Sequence, residues 1–215
     1  MINKKILLVG GGGHCKSVMD SLLELDQFSE IGIIDKKENK ETHILGLSVI
    51  GFDDDLPRLF SEDYHYAFVT LGSIGDPSIR INLFRLLEEI GFKIPNIIDT
   101  SAIVSDDVKM ETGIYIGKNV VVNAGTSLCK GSIINTSVTI EHDCVVGEFA
   151  HIAPGAVLCG EVKIGENSHI GANSVVKQQI KIGANTIIGM GSVVLKNIYD
   201  DMLAYGNPCK EIESR

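Results

Sequence analysis

The chain has 215 residues, 44% of them hydrophobic, and a formal net charge of −9 at pH 7. That length allows one or two domains with a sizeable core. The acidic balance argues against a nucleic acid or an anionic membrane as the main partner. With no apolar run near 18 residues and no leader-like start, a soluble cytoplasmic protein is the expectation.

Lys4 to Val9 is a short apolar run that ends in Gly10-Gly11-Gly12-Gly13-His14. A helical pattern follows through Val18, Met19, Leu22, Leu23 and Leu25, and a second strand, Ile31 to Ile34, ends at Asp35-Lys36. Strand, glycine turn, helix and strand make half of a nucleotide-binding α/β unit. Glycines let a backbone approach phosphate or ribose, the helix N-terminus favours an anion, and an acid after the second strand commonly reads ribose or base. The dinucleotide fingerprint is incomplete, because its third glycine position holds Cys15. A tight corner without a ligand is the plainer alternative. Tyr66 to Leu71 reads as a further strand ending at Gly72. Asp76 to Gly91 reads as a helix, with Asp76-Pro77 opening it and Gly91 stopping it. This stretch is too short for two nucleotide-binding halves, so a mononucleotide or nucleotide-sugar fits better than a dinucleotide.

From Ile98 to Tyr199 an aliphatic residue recurs every six positions, from Ile98, Val104 and Met110 through to Ile188 and Val194. At this hydrophobic content, seventeen consecutive hits arise by chance roughly once in a million registers. Four residues after each anchor stands a smaller or β-branched side chain, such as Thr126, Ser132, Cys144 or Ala150, and glycine often follows the anchor directly. A period of six suits a chain that runs a short strand, turns a corner and repeats, three hexads to a triangular coil. Anchor and i+4 residue then point inward, and the glycine relieves the corner. The expected boundaries are 1–97 for the α/β domain, 98–199 for the coil and 200–215 for a tail. None of Cys15, Cys129, Cys144, Cys159 and Cys209 belongs to a metal or redox motif, and Cys144 reads as a small core residue.

Three histidines fall in the hexads: His142, His151 and His169. None holds an inward position. His151 and His169 are one coil apart and should stack on one face, and a solvated residue without a role is the reading for His169. His142 is followed by Asp143, a carboxylate able to hold one ring nitrogen and raise the basicity of the other, as a base near neutral pH requires. Neighbours on an extended strand point opposite ways, so this pairing needs a corner or a second chain. Histidines that converge across a subunit boundary could instead hold zinc, as in γ-class carbonic anhydrases.

Gly12-Gly13-His14, Asp35, the hexads, the run from Ile140 through His142-Asp143-Cys144 and Phe149 to His151, and Tyr205-Gly206-Asn207-Pro208-Cys209-Lys210 together resemble one family. It is the bacterial sugar acetyltransferases of the sialic-acid O-acetyltransferase type, which includes N-acetyltransferases of nucleotide-linked 4-amino-4,6-dideoxy sugars. The resemblance spans nearly the whole chain. It departs at Asp99-Thr100, where many members have His-Pro, and at Cys209, where alanine is usual.

The resemblance implies a small Rossmann-like βαβ unit followed by a left-handed parallel β-helix of hexapeptide repeats. It implies an acetyl-CoA-dependent acetyltransferase without a metal, assembled as a homotrimer with active sites between subunits. His142 takes the role of general base and Asp143 that of raising its basicity. Gly12, Gly13, His14, Asp35, Lys36 and Gly72 would hold the nucleotide-sugar. His151, Gly160, Ala172 and Met190 would contact acetyl-CoA, with the Gly160 N–H near the thioester carbonyl. The expected reaction is direct attack by a sugar amine. The runner-up is O-acetylation of a sialic acid, and a zinc hydratase and a non-catalytic trimeric scaffold are the readings from other classes.

Overall fold

A computed structural model describes residues 4–214, which separate into two compact units. The first holds the chain up to Gly72 together with Ser78–Ile97, and the second holds Ser73–Pro77 and everything from Ile98. Among the described residues no helix is long and apolar enough to cross a membrane.

In the first unit β1 (Lys5–Val9) leads through the glycine turn into α1 (Gly13–Leu25) and then β2 (Glu30–Ile34). A short hairpin, β3 (His43–Ile44) and β4 (Leu47–Gly51), precedes α2 (Leu56–Ser61), β5 (Tyr66–Val69) and α3 (Ser78–Ile90). The sheet order is β3-β4-β2-β1-β5, with β1 parallel to both β2 and β5. The chain therefore leaves β1 on one side for β2 and returns on the other as β5. Such a switch point opens a crevice at the carboxyl ends of the strands, where ligands of open α/β sheets lie. Buried on both faces, β1 and β2 read as continuous apolar runs. The expected strands and helices are present, with α3 beginning at Ser78 and stopping at Gly91, whose φ is +104°. The β3–β4 hairpin and α2 carry too few periodic residues to have been read from sequence.

The second unit is a parallel β-helix. Two-residue strands repeat every six residues and pair with the strand eighteen residues on, as Thr139–Ile140 pairs with Val157–Leu158. Three sheets result, with six, five and eight strands. Anchors and i+4 residues fill the interior: Ile134, Ile140, Val146, Ile152 and Leu158 are buried, as are Thr126, Ser132, Val138, Cys144 and Ala150. Met110 is the exposed exception near the start of the coil.

Two expectations are corrected here. The glycines that follow the anchors are not there for their φ angles. Left-handed φ falls on the third residue after the anchor, as at Asn119 (55°), Asp143 (58°), Glu161 (61°) and Asn185 (53°). The post-anchor glycines are required by stacking instead. A Cβ on Gly147 would stand 2.6 Å from the Glu166 nitrogen, and those on Gly165, Gly171 and Gly183 would likewise meet the backbone of the following coil. The expected tail is also more than that over its described residues, 200–214, since Met202–Gly206 and Cys209–Ser214 form a hairpin that extends the eight-stranded sheet. Loss of the six-residue period at Tyr199 marks the end of the coil but not the end of the sheet.

Candidate active site

Within the second unit the site is built on one corner, between the Thr139–Ile140 and Val145–Val146 strands. Asp143 occupies the left-handed position of that corner, and this turn brings its carboxylate back over the preceding residue. His142 Nδ1 lies 2.9 Å from Asp143 Oδ2, within one chain. The backbone is pinned by the coils on either side: Asp143 N–H donates to Ala124 O at 2.9 Å, and Glu161 N–H donates to His142 O at 2.8 Å. Both side chains remain more than half exposed.

A carboxylate only accepts, so Nδ1 carries the proton and Nε2 presents its lone pair outward. The hydrogen bond to Asp143 lifts the imidazole above the ordinary histidine value, and the charges of Asp143, Glu141 and Glu161 add to this. Glu141 is itself held by Asn123, whose Nδ2 donates to Oε2 at 3.1 Å. Gly160 sits one coil beyond His142 against the ring, and its N–H donates to no group among the described residues. Nearby, Cys144 is fully buried, and burial pushes its thiol up to about 11. That thiol is no nucleophile at neutral pH.

His151 and His169 stack as the hexad spacing requires, with ring centroids 4.9 Å apart at 73°. His151 is buried, its Nδ1 faces the Ser73 carbonyl at 3.0 Å, and its Nε2 faces Asn135 Nδ2 at 3.3 Å. A carbonyl accepts only, so Nδ1 donates, Nε2 accepts, and both ring nitrogens are engaged within the chain. His169 corrects the expectation of a solvated residue, being only 7% exposed, with Nδ1 unpartnered and its pKa lowered by burial. The hexad count tells which way a strand residue points, but not whether that side is covered. Along this sheet Tyr115 and Ile133 are covered too. Ala172 and Met190 lie one coil apart at a different corner, and Met190 is 81% exposed.

In the first unit, Gly12 and Gly13 lead into α1, and a Cβ on either would meet nothing within 4 Å. Packing therefore does not explain why they are glycines. Gly11 differs, since its missing side chain leaves room for Asp35 and Ile44. Asp35 follows β2, with Oδ1 accepting from the Lys36 N–H at 2.8 Å and Oδ2 accepting from Asn39 Nδ2 at 2.9 Å. Asp35 and Lys36 line a cleft of about 270 Å³ together with Phe52, Asp53 and Asp54. Those last three were missed in the sequence, where only an acidic run after an aromatic marked them. His14 lies in the first turn of α1 with Gly72 beside it, and burial followed by the Arg80 guanidinium lowers its pKa to about 4. At neutral pH it is an uncharged donor and acceptor.

Residues 5–87 match the family described as the PglD N-terminal domain, and residues 161–196 match the bacterial transferase hexapeptide (six repeats). PerB from Caulobacter crescentus, solved in complex with CoA and GDP-perosamine, is 34% identical, with 99% of each chain covered and a TM-score of 0.91. Two further structures of this perosamine N-acetyltransferase carry one histidine changed to asparagine or alanine. The acetyltransferase domain of PglB from Neisseria gonorrhoeae, in complex with acetyl coenzyme A, is 34% identical over 98% of this chain and 100% of that one, with a TM-score of 0.90. WeeI from Acinetobacter baumannii, at 24% identity and a TM-score of 0.80, shares the fold.

Proposed function

The chain belongs to the hexapeptide-repeat nucleotide-sugar N-acetyltransferases, and from that premise we propose that it moves the acetyl group of acetyl-CoA onto the amine of a nucleotide-linked 4-amino-4,6-dideoxy sugar. The observation that carries this reading is the exposed His142–Asp143 pair, 2.9 Å apart, beside the open N–H of Gly160. Nε2 of His142 takes a proton from the sugar amine as its nitrogen attacks the thioester carbonyl. The C–N bond forms, the Gly160 N–H steadies the oxyanion, and the C–S bond breaks to release coenzyme A. Base assistance of this kind is worth roughly 10²–10⁴-fold and a placed oxyanion donor about 10²–10³-fold. An amine needs no acyl-enzyme, and the inert thiol of Cys144 is in keeping with direct attack.

The carboxylates of Asp143, Glu141 and Glu161 act on the imidazole. They would also favour an acceptor that arrives as an ammonium and gives one proton to water before the neutral amine attacks, which supports an amine over a hydroxyl. Nucleotide binding is assigned to the first unit, where Gly12 and Gly13 leave room for close approach and Asp35 and Lys36 line a cleft. The working form is a cytoplasmic homotrimer. The outer face of the six-stranded sheet supports the assembly, because it carries Ile103, Val121, Thr139, Val157, Val175 and Val193, with no lysine. The five-stranded face carries Lys109, Lys163 and Lys181 instead. A second copy would also bring His142 and Gly160 of one chain toward Ala172 and Met190 of another, which lie at separate corners within a chain.

Thiol release from acetyl-CoA, followed against a panel of GDP-, UDP- and dTDP-linked amino sugars and free and CMP-linked sialic acid, tests the proposal. Turnover with an amino-sugar nucleotide is expected. Turnover with sialic acid alone would replace it with the O-acetyltransferase reading.

A further inference from the structure

Coil stacking sets each residue of the dyad against a glycine eighteen positions away: Asp143 against Gly125 and His142 against Gly160. A Cβ on Gly160 would stand 2.5 Å from His142 Nε2 and 2.7 Å from its Cε1, and one on Gly125 would overlap Asp143 Oδ1. We propose that Gly125 and Gly160 are positioning residues. Their missing side chains hold the imidazole and carboxylate in register and keep the basic nitrogen open.

Gly125 has a second reason to be glycine, a φ of +73°. Gly160 has none, because its φ is not left-handed and the three atoms nearest its absent Cβ all belong to the imidazole. The same column of the corner continues, one coil apart each time, through Gln178 and Lys196, so the position itself admits side chains. Gly160 also differs from Gly147, Gly165 and Gly171, whose absent Cβ atoms meet backbone that cannot move. Here the obstacle is the far end of an exposed side chain. Alanine at 160 therefore leaves the coil intact and turns the ring away from Asp143, so the loss falls on chemistry rather than on folding.

The inference rests on His142 being the base of the proposed reaction, and three readouts separate the two ideas. Gly160→Ala keeps its backbone N–H, so an oxyanion role alone predicts full activity. The expected result is a melting temperature close to that of the parent and a His142 ring that loses its fixed Nδ1–H form in ¹⁵N NMR. Its pKa should fall back toward the ordinary 6.5, and kcat should drop about tenfold or more, in keeping with the cost of ångström-scale misplacement. On a His142→Ala background, Gly160→Ala should cost nothing further. An unchanged His142 tautomer and pKa in Gly160→Ala would overturn the inference, as would unfolding of both Gly160→Ala and the double variant. A shifted ring with undiminished kcat would support the positioning role and remove His142 as the base.

Discussion

At the scale of single residues, His142 and Asp143 show how a corner does what a straight strand cannot. Consecutive side chains of a strand diverge, yet the left-handed φ of Asp143 folds its carboxylate back to Nδ1. In the proposed reaction the imidazole must be neutral to act, and its pKa lies above the ordinary value, so activity should fall as pH drops through a midpoint higher than that of a free histidine. Asp143→Asn removes the acceptor charge that raises the pKa. The acidic limb of the kcat profile should move to lower pH while maximal kcat declines. A limb that stays in place would leave the carboxylate a purely structural role. His142→Ala should lower kcat by roughly 10²–10⁴-fold with little change in KM, and His169→Ala should not match that loss. His14 makes a separate statement about stability. Its pKa is depressed to about 4, so the native state favours the neutral ring, and stability should be lost as pH falls from about 6.5 toward 4. Melting curves against pH should show this slope, and His14→Gln should flatten it.

At the scale of the element, the coil is a stack whose spacing is set by backbone hydrogen bonds, so a glycine facing the next coil is a space requirement. Gly147→Ala should lower stability by about 1–3 kcal/mol, the range typical of overpacking, because its Cβ would meet the Glu166 nitrogen and the Ile164 carbonyl, and that carbonyl accepts the Gly147 N–H between coils. Thermal or denaturant unfolding measures this, and an unchanged midpoint would show that the coils can part at little cost. The corners add polar ladders between coils, such as Asn167 Nδ2 to Asn185 Oδ1 at 3.1 Å and Asn185 Nδ2 to Asp201 Oδ1 at 2.9 Å. Asparagine suits these positions twice, tolerating the left-handed corner and bonding to a counterpart sixteen or eighteen residues away. In the first unit the same logic makes Gly11 a packing glycine and leaves Gly12 and Gly13, with open space at their absent side chains, as the ones proposed to face the nucleotide.

At the scale of the whole molecule, the apolar outer face of the six-stranded sheet is where assembly is expected. Val175 is 38% exposed there, two coils beyond the Thr139–Ile140 strand that leads into the dyad. Val175→Glu should leave the coil folded, shift sedimentation toward the monomer and reduce turnover, because the proposed site draws on two chains. A monomeric variant with full activity would confine the site to one chain.

The sequence by itself determined the period of six, the inward anchors, the strand–glycine turn–helix order of the first unit and the candidate dyad. These follow from which side chains must leave water and from chemistry carried by adjacent residues. What needed the tertiary structure was everything set by neighbours distant in the chain. Left-handed corners pair His142 with Asp143 inside one subunit, and glycines after the anchors answer to the next coil rather than to φ. His169 is covered although its register points it outward, the last residues join a sheet after their period is lost, and Phe52, Asp53 and Asp54 come to wall a cleft beside Asp35. Periodicity reports the direction of a side chain along its own strand, whereas burial, register and electrostatics depend on what the rest of the fold places against it.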